Sequence, residues 1–180
     1  MSDMGIKLKQ SFSFEALSNA AKENAKNAIV SVLTDVGMQC VAEARNNGNY
    51  EDQTGNLRSS IGFAVVVDGK IVTKSGFTQV QGRGENMALV RYKTKAGKEV
   101  KFWAKGKSGD GSEGVRQGEQ LLDKLASEHS TGICLIVAAG MSYAIYVEGL
   151  GKNVLTSAEL LAERVIPDTL QQLGFTVKKK

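Results

Sequence analysis

The sequence is poor in the residues that most often carry chemistry. Its 180 residues include one proline, one histidine, one tryptophan and two cysteines. With His129 as the single histidine, the sequence offers no convincing nucleophile–histidine–acid set. Cys40 and Cys134 have the spacing of neither a zinc site nor a redox motif, so we predict two buried thiols. We therefore expect a protein that is not an enzyme, with no catalytic residue, no metal and no cofactor.

Long apolar runs are absent as well. A membrane-spanning helix needs about 18 or more consecutive apolar residues, and the sequence contains no such run. The first ten residues, MSDMGIKLKQ, lack the apolar segment of a secretory signal, so we expect synthesis in the cytoplasm. Hydrophobic residues still make up 42% of the chain. This is enough for a core, and the length predicts a single domain spanning residues 1–180.

The positive charge is concentrated in one segment. The whole chain has a net charge of +4. Between Thr78 and Ser112, eight lysines and arginines stand against three acidic residues, which gives this segment a charge of +5 and the remainder −1. The basic character is therefore local.

The longest predicted element is an amphipathic helix from Phe14 to about Arg45. Apolar residues recur along it at helical spacing, and it contains no proline. Gly37 is the predicted position of a bend. A straight helix of this length would extend about 45–50 Å, which exceeds the diameter of a small domain. We therefore expect the apolar residues of its first turns, Phe14, Leu17 and Ala21, to contact another molecule.

The rest of the chain predicts an α+β fold. Asp68–Gly69 lies between two β-branched runs and predicts a tight hairpin. The apolar run from Thr131 to Met141 predicts a central strand covered on both faces. The alternation from Ser142 to Gly151 predicts a half-buried antiparallel strand. A last helix, capped by Asn153 or Thr156, should be kinked or divided at Pro167.

The complete prediction is a long N-terminal helix, a small antiparallel sheet with helices packed on one face, and an inserted β-hairpin arm. The arm is predicted at 76–114, with its turn near Ala96–Gly97, and an additional helix is predicted at 115–129.

Two interpretations of the arm remain open. Its positive charge and its aromatic residues fit a nucleic-acid-binding module at 78–112, because such modules combine phosphate neutralisation with base stacking. Alternatively, the aromatic residues anchor the arm on a neighbouring protein surface. We favour the protein interface, formed by Arg91, Tyr92, Phe102 and Trp103.

Two stretches taken together resemble a known family. TGNLRSSI, from Thr54 to Ile61, follows the long helix, and MSYAIYVEGLG, from Met141 to Gly151, precedes the last helix. In this order they resemble the neck family of tailed bacteriophages, the minor proteins that complete the tail and join it to the head. The matching residues are Thr54, Gly55, Leu57, Arg58, Ser60 and Ile61, then Tyr143, Ala144, Tyr146, Val147, Glu148 and Gly149. The resemblance covers neither the arm nor the additional helix.

The resemblance implies an α+β subunit of a closed, six-fold ring, without catalysis. The ring would lie in the virion at the head–tail junction, around the channel through which DNA leaves the head, after synthesis in the bacterial host cytoplasm. The implied partners are further copies of the chain, a head-side connector or stopper, and a tail-side terminator or tail tube protein. DNA passing through the lumen is a further expected contact, and a membrane is not.

The resemblance also implies mainly structural roles for the motif residues. Thr54 to Ile61 would form the turn that sets the sheet against the long helix. Tyr143 and Tyr146 would supply packing area. Glu148 would either pair with Arg58 or accept hydrogen bonds from backbone N–H groups.

Overall fold

The computed structural model describes residues 14–82, 87–94, 97–105 and 109–176. The helices are α1 (Phe14–Asn47), α2 (Asn56–Ser59), α3 (Ser112–Glu128), α4 (Ala144–Gly149) and α5 (Thr156–Gln172). The strands are β1 (Ile61–Val67), β2 (Lys70–Ser75), β3 (Met87–Lys93), β4 (Glu99–Lys105) and β5 (Ile133–Ala139). The predicted α+β class is confirmed.

The main sheet has three strands in the order β2-β1-β5, and both pairings are antiparallel. Every residue of β1 is buried, whereas all but one residue of β5 are only partly buried. The prediction of a central strand from Thr131 to Met141 was therefore wrong, because β5 lies at an edge. A continuous apolar run indicates that a strand is covered on its faces, and it does not specify its neighbours in the sheet.

Helices cover both faces of this sheet, not one face as predicted. Phe63 and Val65 of β1 pack against α1, and α5 completes this layer. Ala64 and Val66 point the other way and pack against Leu122 of α3. The cause is the composition of β1, which is apolar at every position and needs cover on both sides.

The long helix α1 forms as predicted and continues without interruption through Gly37. A Cβ atom at Gly37 would lie 2.3 Å from the ring of Phe63. Gly37 therefore allows α1 to approach β1 closely, and the prediction of a bend missed this role. Further along α1, the thiol of Cys40 is buried and donates to the carbonyl oxygen of Ala158, 3.4 Å away. The second cysteine, Cys134, is free and half-buried.

The hairpin of β1 and β2 turns at Asp68–Gly69, as predicted. Both residues have positive φ angles, 49° and 78°, as a type I′ turn requires. The Asp68 side chain also accepts a hydrogen bond from the N–H of Gly132 at 2.9 Å. The turn is thereby tied to the segment that leads into β5.

The predicted arm hairpin is also present, as a separate two-stranded antiparallel sheet of β3 and β4. Ala96, at its predicted turn, lies outside the described residues. The segments at 76–82 and 109–114, included in the predicted arm, instead lie against the domain. The N–H of Gly82 donates to the carbonyl oxygen of Gly109 at 3.1 Å and closes the base of the arm.

The strand predicted from Ser142 to Gly151 was wrong, because this segment contains helix α4. Over six residues the alternation is also compatible with helical spacing, which places Ala144 and Val147 together toward the interior. The following helix α5 contains Pro167 and continues to Gln172, so the proline does not divide it.

Candidate assembly surfaces

The two motif stretches meet in one hydrophobic cluster. Leu57 from the first stretch packs with Ala144 and Val147 from the second. The same stretches line a cleft of about 340 Å³, to which Thr54 and Tyr143 both contribute. Segments more than 80 positions apart in the sequence are thus brought together beside the end of α1.

Arg58 organises the first stretch by binding the end of α1. It is 9% exposed. Its Nε donates to the carbonyl oxygen of Arg45 at 3.1 Å, and its Nη2 donates to the carbonyl oxygens of Gly48 and Tyr50 at 3.0 and 3.4 Å. The guanidinium carbon lies 4.6 Å from the centre of the Tyr50 ring. The cation thereby satisfies one carbonyl in the last turn of α1 and two in the loop that follows it.

Three other residues of the first stretch are held tightly in place. Gly55 has a φ angle of 76°, and a Cβ atom there would lie 1.8 Å from the carbonyl oxygen of Val80. Ser60 is fully buried, and its hydroxyl donates to the carbonyl oxygen of Leu57 at 2.8 Å. Ile61 is also fully buried and begins β1. The predicted structural role of this turn between α1 and the sheet agrees with this geometry.

The tyrosines beside the cleft are kept in their neutral form by their surroundings. Burial raises the pKa of Tyr50 to about 12, even though the nearby Arg58 acts in the opposite direction. Burial, together with the Asp52 carboxylate, also raises the pKa of Tyr143. Asp52 is 5% exposed and accepts a hydrogen bond from the N–H of Arg58 at 2.8 Å. Asp52 therefore ties the start of α2 to the loop that follows α1.

Glu148 caps α5, as one of its two predicted roles required. Its carboxylate accepts hydrogen bonds from the N–H groups of Val154, Leu155 and Thr156 at 3.0, 2.9 and 3.2 Å. Burial acts to raise the pKa of Glu148, but the hydrogen bonds from Thr156, Leu155 and Val154 together outweigh it, and the pKa is lowered. Arg58, the other predicted partner, is engaged at α1.

The base of the arm is anchored by Phe77. A Cβ atom at Gly62 of β1 would lie 2.3 Å from the Phe77 ring, and one at Gly118 of α3 would lie 2.6 Å from it. The ring therefore fills a slot between two glycines. Nearby, the N–H of Val80 donates to the Ser59 hydroxyl at 2.8 Å. The chain leaves the domain only after these contacts.

The arm hairpin beyond this base has two different faces. Because side chains alternate along a strand, the antiparallel register assigns its residues to an apolar arm face and a mostly basic arm face. Among the residues whose side chains are described, Tyr92, Val100 and Phe102 lie on the apolar arm face. Arg91, Lys93, Glu99 and Lys101 lie on the basic arm face.

The described aromatic residues of the arm are substantially exposed. Tyr92 is 50% and Phe102 is 46% exposed. Their rings contact each other edge to face, with centres 6.3 Å apart. Arg91 is exposed on the opposite face, and the side chain of Trp103 lies outside the described part of the chain. The predicted interface residues therefore divide between two faces.

Of the three residues at the start of α1 that we expect to contact another molecule, only Ala21 has a described side chain. Ala21 is exposed. The side chains of Phe14 and Leu17 lie outside the described residues. The buried apolar side of α1 begins with Val32 and ends with Ala44.

The sequence did not predict which apolar side chains are most exposed among the described residues. Ile145, Tyr146, Leu150 and Leu160 are 75%, 74%, 78% and 62% exposed. They lie on α4, in the turn that follows it and at the start of α5, and we call them the α4 patch. Tyr146 is therefore surface area and not internal packing. A helical interpretation of the segment from Ser142 to Gly151 would have placed Tyr146 and Leu150 together, opposite Ala144.

No family model, no curated protein and no solved structure matches this chain. Within the described ranges, no helix combines the length and apolar character needed to cross a membrane. Among the same residues, no three histidine, cysteine or acidic side chains come close enough to share a metal ion.

Proposed function

We propose that this chain is a structural subunit of the neck of a tailed phage. It forms a ring at the head–tail junction that completes the tail and connects it to the head around the DNA channel. It binds other copies of itself. Its further partners are a head-side connector or stopper and a tail-side terminator or tail tube protein. It acts by shape and catalyses no reaction.

The supporting observation is the location of exposed apolar area on two separate surfaces. One is the α4 patch, and the other is the apolar arm face with Tyr92 and Phe102. Large exposed apolar side chains grouped on neighbouring elements are typical of interaction sites. Two unlike surfaces suit a subunit that contacts further copies of itself through one surface and a head-side or tail-side partner through the other.

The motif cluster supports the proposal in a second way. Arg58 and Glu148 bind helix ends, and Leu57 packs between their segments. The bonds of Glu148 connect α4 to the start of α5, the two elements that carry the α4 patch.

The test is the oligomeric state of the full chain, alone and mixed with a head-side or tail-side partner. Light scattering and negative-stain images should show closed rings in at least one of these mixtures. Strict monomers in every mixture would contradict the proposal.

A matched pair of variants tests the α4 patch. The double variant Tyr146→Ser and Leu150→Ser should weaken ring formation or partner binding by about tenfold or more, since each side chain is a large exposed apolar group. The control is Val72→Ser with Leu173→Ser, which removes side chains that are 50% and 52% exposed elsewhere on the surface. Equal effects of the two double variants would count against the patch.

A second candidate function is nucleic-acid binding by the arm. The observation that favours it is the row of cations on the basic arm face, where Arg91, Lys93 and Lys101 are all exposed. Binding would weaken steeply with rising salt and would be lost when Lys93, Lys95, Lys101 and Lys105 are changed to Ala. Binding that is absent or insensitive to salt would exclude this candidate. The exposed aromatic residues Tyr92 and Phe102 lie on the other face, away from these cations, which favours the protein interface.

A further inference from the structure

The two edges of the main sheet differ in their protection against further pairing. The edge strand β2 carries Lys70 and Lys74, and its register with β1 is interrupted between Val65 and Val66. Charged residues and bulges are the features by which sheet edges avoid pairing with other chains. The other edge strand, β5, has the sequence ICLIVAA, with no charged residue, no proline and a regular register. It has none of these protections.

The backbone of β5 is also available on its outer side. Among the described residues, only β1 forms hydrogen bonds with the N–H and C=O groups of positions 133–139. In an antiparallel pair, the groups of alternate residues point away from the partner. A row of such groups can accept one more strand.

An apolar groove runs beside this open edge. It has a volume of about 310 Å³ and lies between β5 and α5. Its lining is apolar except for Glu159 and consists of Leu135, Val137, Leu155, Ala158, Glu159, Ala162 and Ile166. A strand added to β5 would place every second side chain toward this groove. The groove therefore suits a strand with one apolar face.

The arm has properties that complement the open edge of β5 and the groove beside it. Its strands and β5 are each seven residues long. Its apolar arm face alternates with a basic arm face, and neither β3 nor β4 joins the main sheet or packs extensively on another described element. A two-stranded hairpin is at best marginally stable without such packing. The arm therefore needs a surface that its own described domain does not provide.

The arm and the helices beside the main sheet carry opposite net charges. The strands of the arm carry four cations and one carboxylate. The helices on either side of the main sheet are acidic: α3 has four carboxylates and two cations, and α5 has three carboxylates and one cation. Complementary charge guides the orientation of such a contact.

From these observations we propose that the arm of one copy adds as a strand to the open edge of β5 in a neighbouring copy. Its apolar face enters the groove between β5 and α5. Main-chain hydrogen bonds supply the affinity, and the groove selects the face of the added strand. The contact joins two different surfaces, so repetition from copy to copy can close a ring. This inference rests on the proposed function, since it names the contact by which the ring closes.

A photo-cross-linking experiment tests the contact. The full chain would carry the photoreactive residue p-benzoylphenylalanine in place of Phe102 and would be mixed in equal parts as unlabelled and ¹⁵N-labelled protein. After irradiation, mass spectrometry should find mixed-isotope cross-links from position 102 to residues 133–139 or 155–166. Cross-links confined to one chain, to the α4 patch or to nucleic acid would overturn the inference.

Oligomer size, measured on the same samples, separates this inference from the proposed function. Rings whose cross-links fall outside β5 and α5 would overturn the inference and leave the ring intact. Monomers at every concentration and with every partner, without cross-links between chains, would overturn both.

A charge-reversal variant gives an independent measurement. Glu159 and Glu163 are exposed on α5, so Glu159→Arg with Glu163→Arg should leave the fold intact and weaken self-association by about tenfold or more. The control is Glu23→Arg with Asp35→Arg, which makes the same change in charge at exposed positions of α1. Equal weakening by both double variants would contradict a specific contact at the groove.

Discussion

The two hairpins of this protein have similar local structure and different surroundings. Each is antiparallel, and each turn contains a glycine with a left-handed backbone, Gly69 at a φ of 78° and Gly97 at 76°. In the first hairpin, Phe63 of β1 is 1% exposed between α1 and the sheet. In the arm, Phe102 of β4 is 46% exposed. Local pattern therefore makes a hairpin, and the neighbouring elements decide how firmly it is held.

The difference begins in the residues of the strands. The strand β1, IGFAVVV, is apolar at every position and is covered by helices on both faces. In the arm, the described side chains are apolar on one face and charged on the other, so only one face needs to be covered. The described domain does not supply this surface, and the proposed contact with β5 of a neighbouring copy would.

The largest expected difference between the hairpins is in their phenylalanines. Phe63→Ala should lower the free energy of unfolding by about 3–5 kcal/mol, because it removes a fully buried ring and leaves a cavity beside Gly37. Phe102→Ala should change it by about 1 kcal/mol or less. Chemical denaturation at low protein concentration, followed by circular dichroism, measures both. Similar losses would show that the arm is as well packed as the main sheet.

The second comparison concerns two arginines. Arg58→Met removes the donor for three carbonyl oxygens at the end of α1 and should cost about 2–3 kcal/mol in unfolding free energy. Arg91→Met, in the arm, is the control and should stay within about 0.5 kcal/mol. Thermal unfolding shows which of the two variants is less stable. An Arg58 variant as stable as the Arg91 variant would mean that the end of α1 is held by other contacts.

The turn glycines provide a closely matched pair. Alanine in the left-handed region costs about 1–2 kcal/mol of backbone strain. Gly69→Ala should lower global stability by that amount, because the first hairpin unfolds with the domain. Gly97→Ala should carry the same strain and leave global stability unchanged, since the arm can open by itself. Hydrogen exchange would distinguish a loss of global stability from local opening of the arm. A loss of global stability in Gly97→Ala would contradict an arm that opens independently.

The smallest effect is expected from acidic pH at Glu148. Its pKa is lowered in the folded protein, so its contribution is present above the ordinary glutamate pKa of about 4.3 and is lost as the pH falls through the folded value. Glu148→Gln should cost about 1 kcal/mol at neutral pH and should flatten the fall in stability on acidification. The control is Glu99→Gln in the arm. Parallel pH curves for wild type and Glu148→Gln would show that the cap contributes no pH dependence.

Short-range patterns predicted much of the fold. Asp68–Gly69 predicted its hairpin because a type I′ turn depends on the residues at the turn itself. The long apolar periodicity predicted α1 for a similar local reason. The segment from Ser142 to Gly151 failed, because a few alternating residues satisfy strand and helix spacing equally well. In the structure this segment packs with Leu57, and its Glu148 accepts hydrogen bonds from backbone N–H groups at the start of α5.

The candidate surfaces were predictable only in part. The arm was visible as a basic segment with aromatic residues, and Tyr92 and Phe102 are indeed exposed. The α4 patch and the open edge of β5 were not visible, since both depend on which side of an element faces the domain. The position of β5 at an open edge is decided by strand order, which sequence patterns do not encode directly.

The sequence by itself determined the α+β class, the long first helix and the two hairpins, because turn residues and apolar periodicity act over a few positions. Only the tertiary structure decided that β1 is central, that β5 is the unprotected edge and that the two motif stretches meet beside Arg58. These features arise from contacts between residues far apart in the chain. An apolar face is buried where another element packs on it and stays exposed where none does.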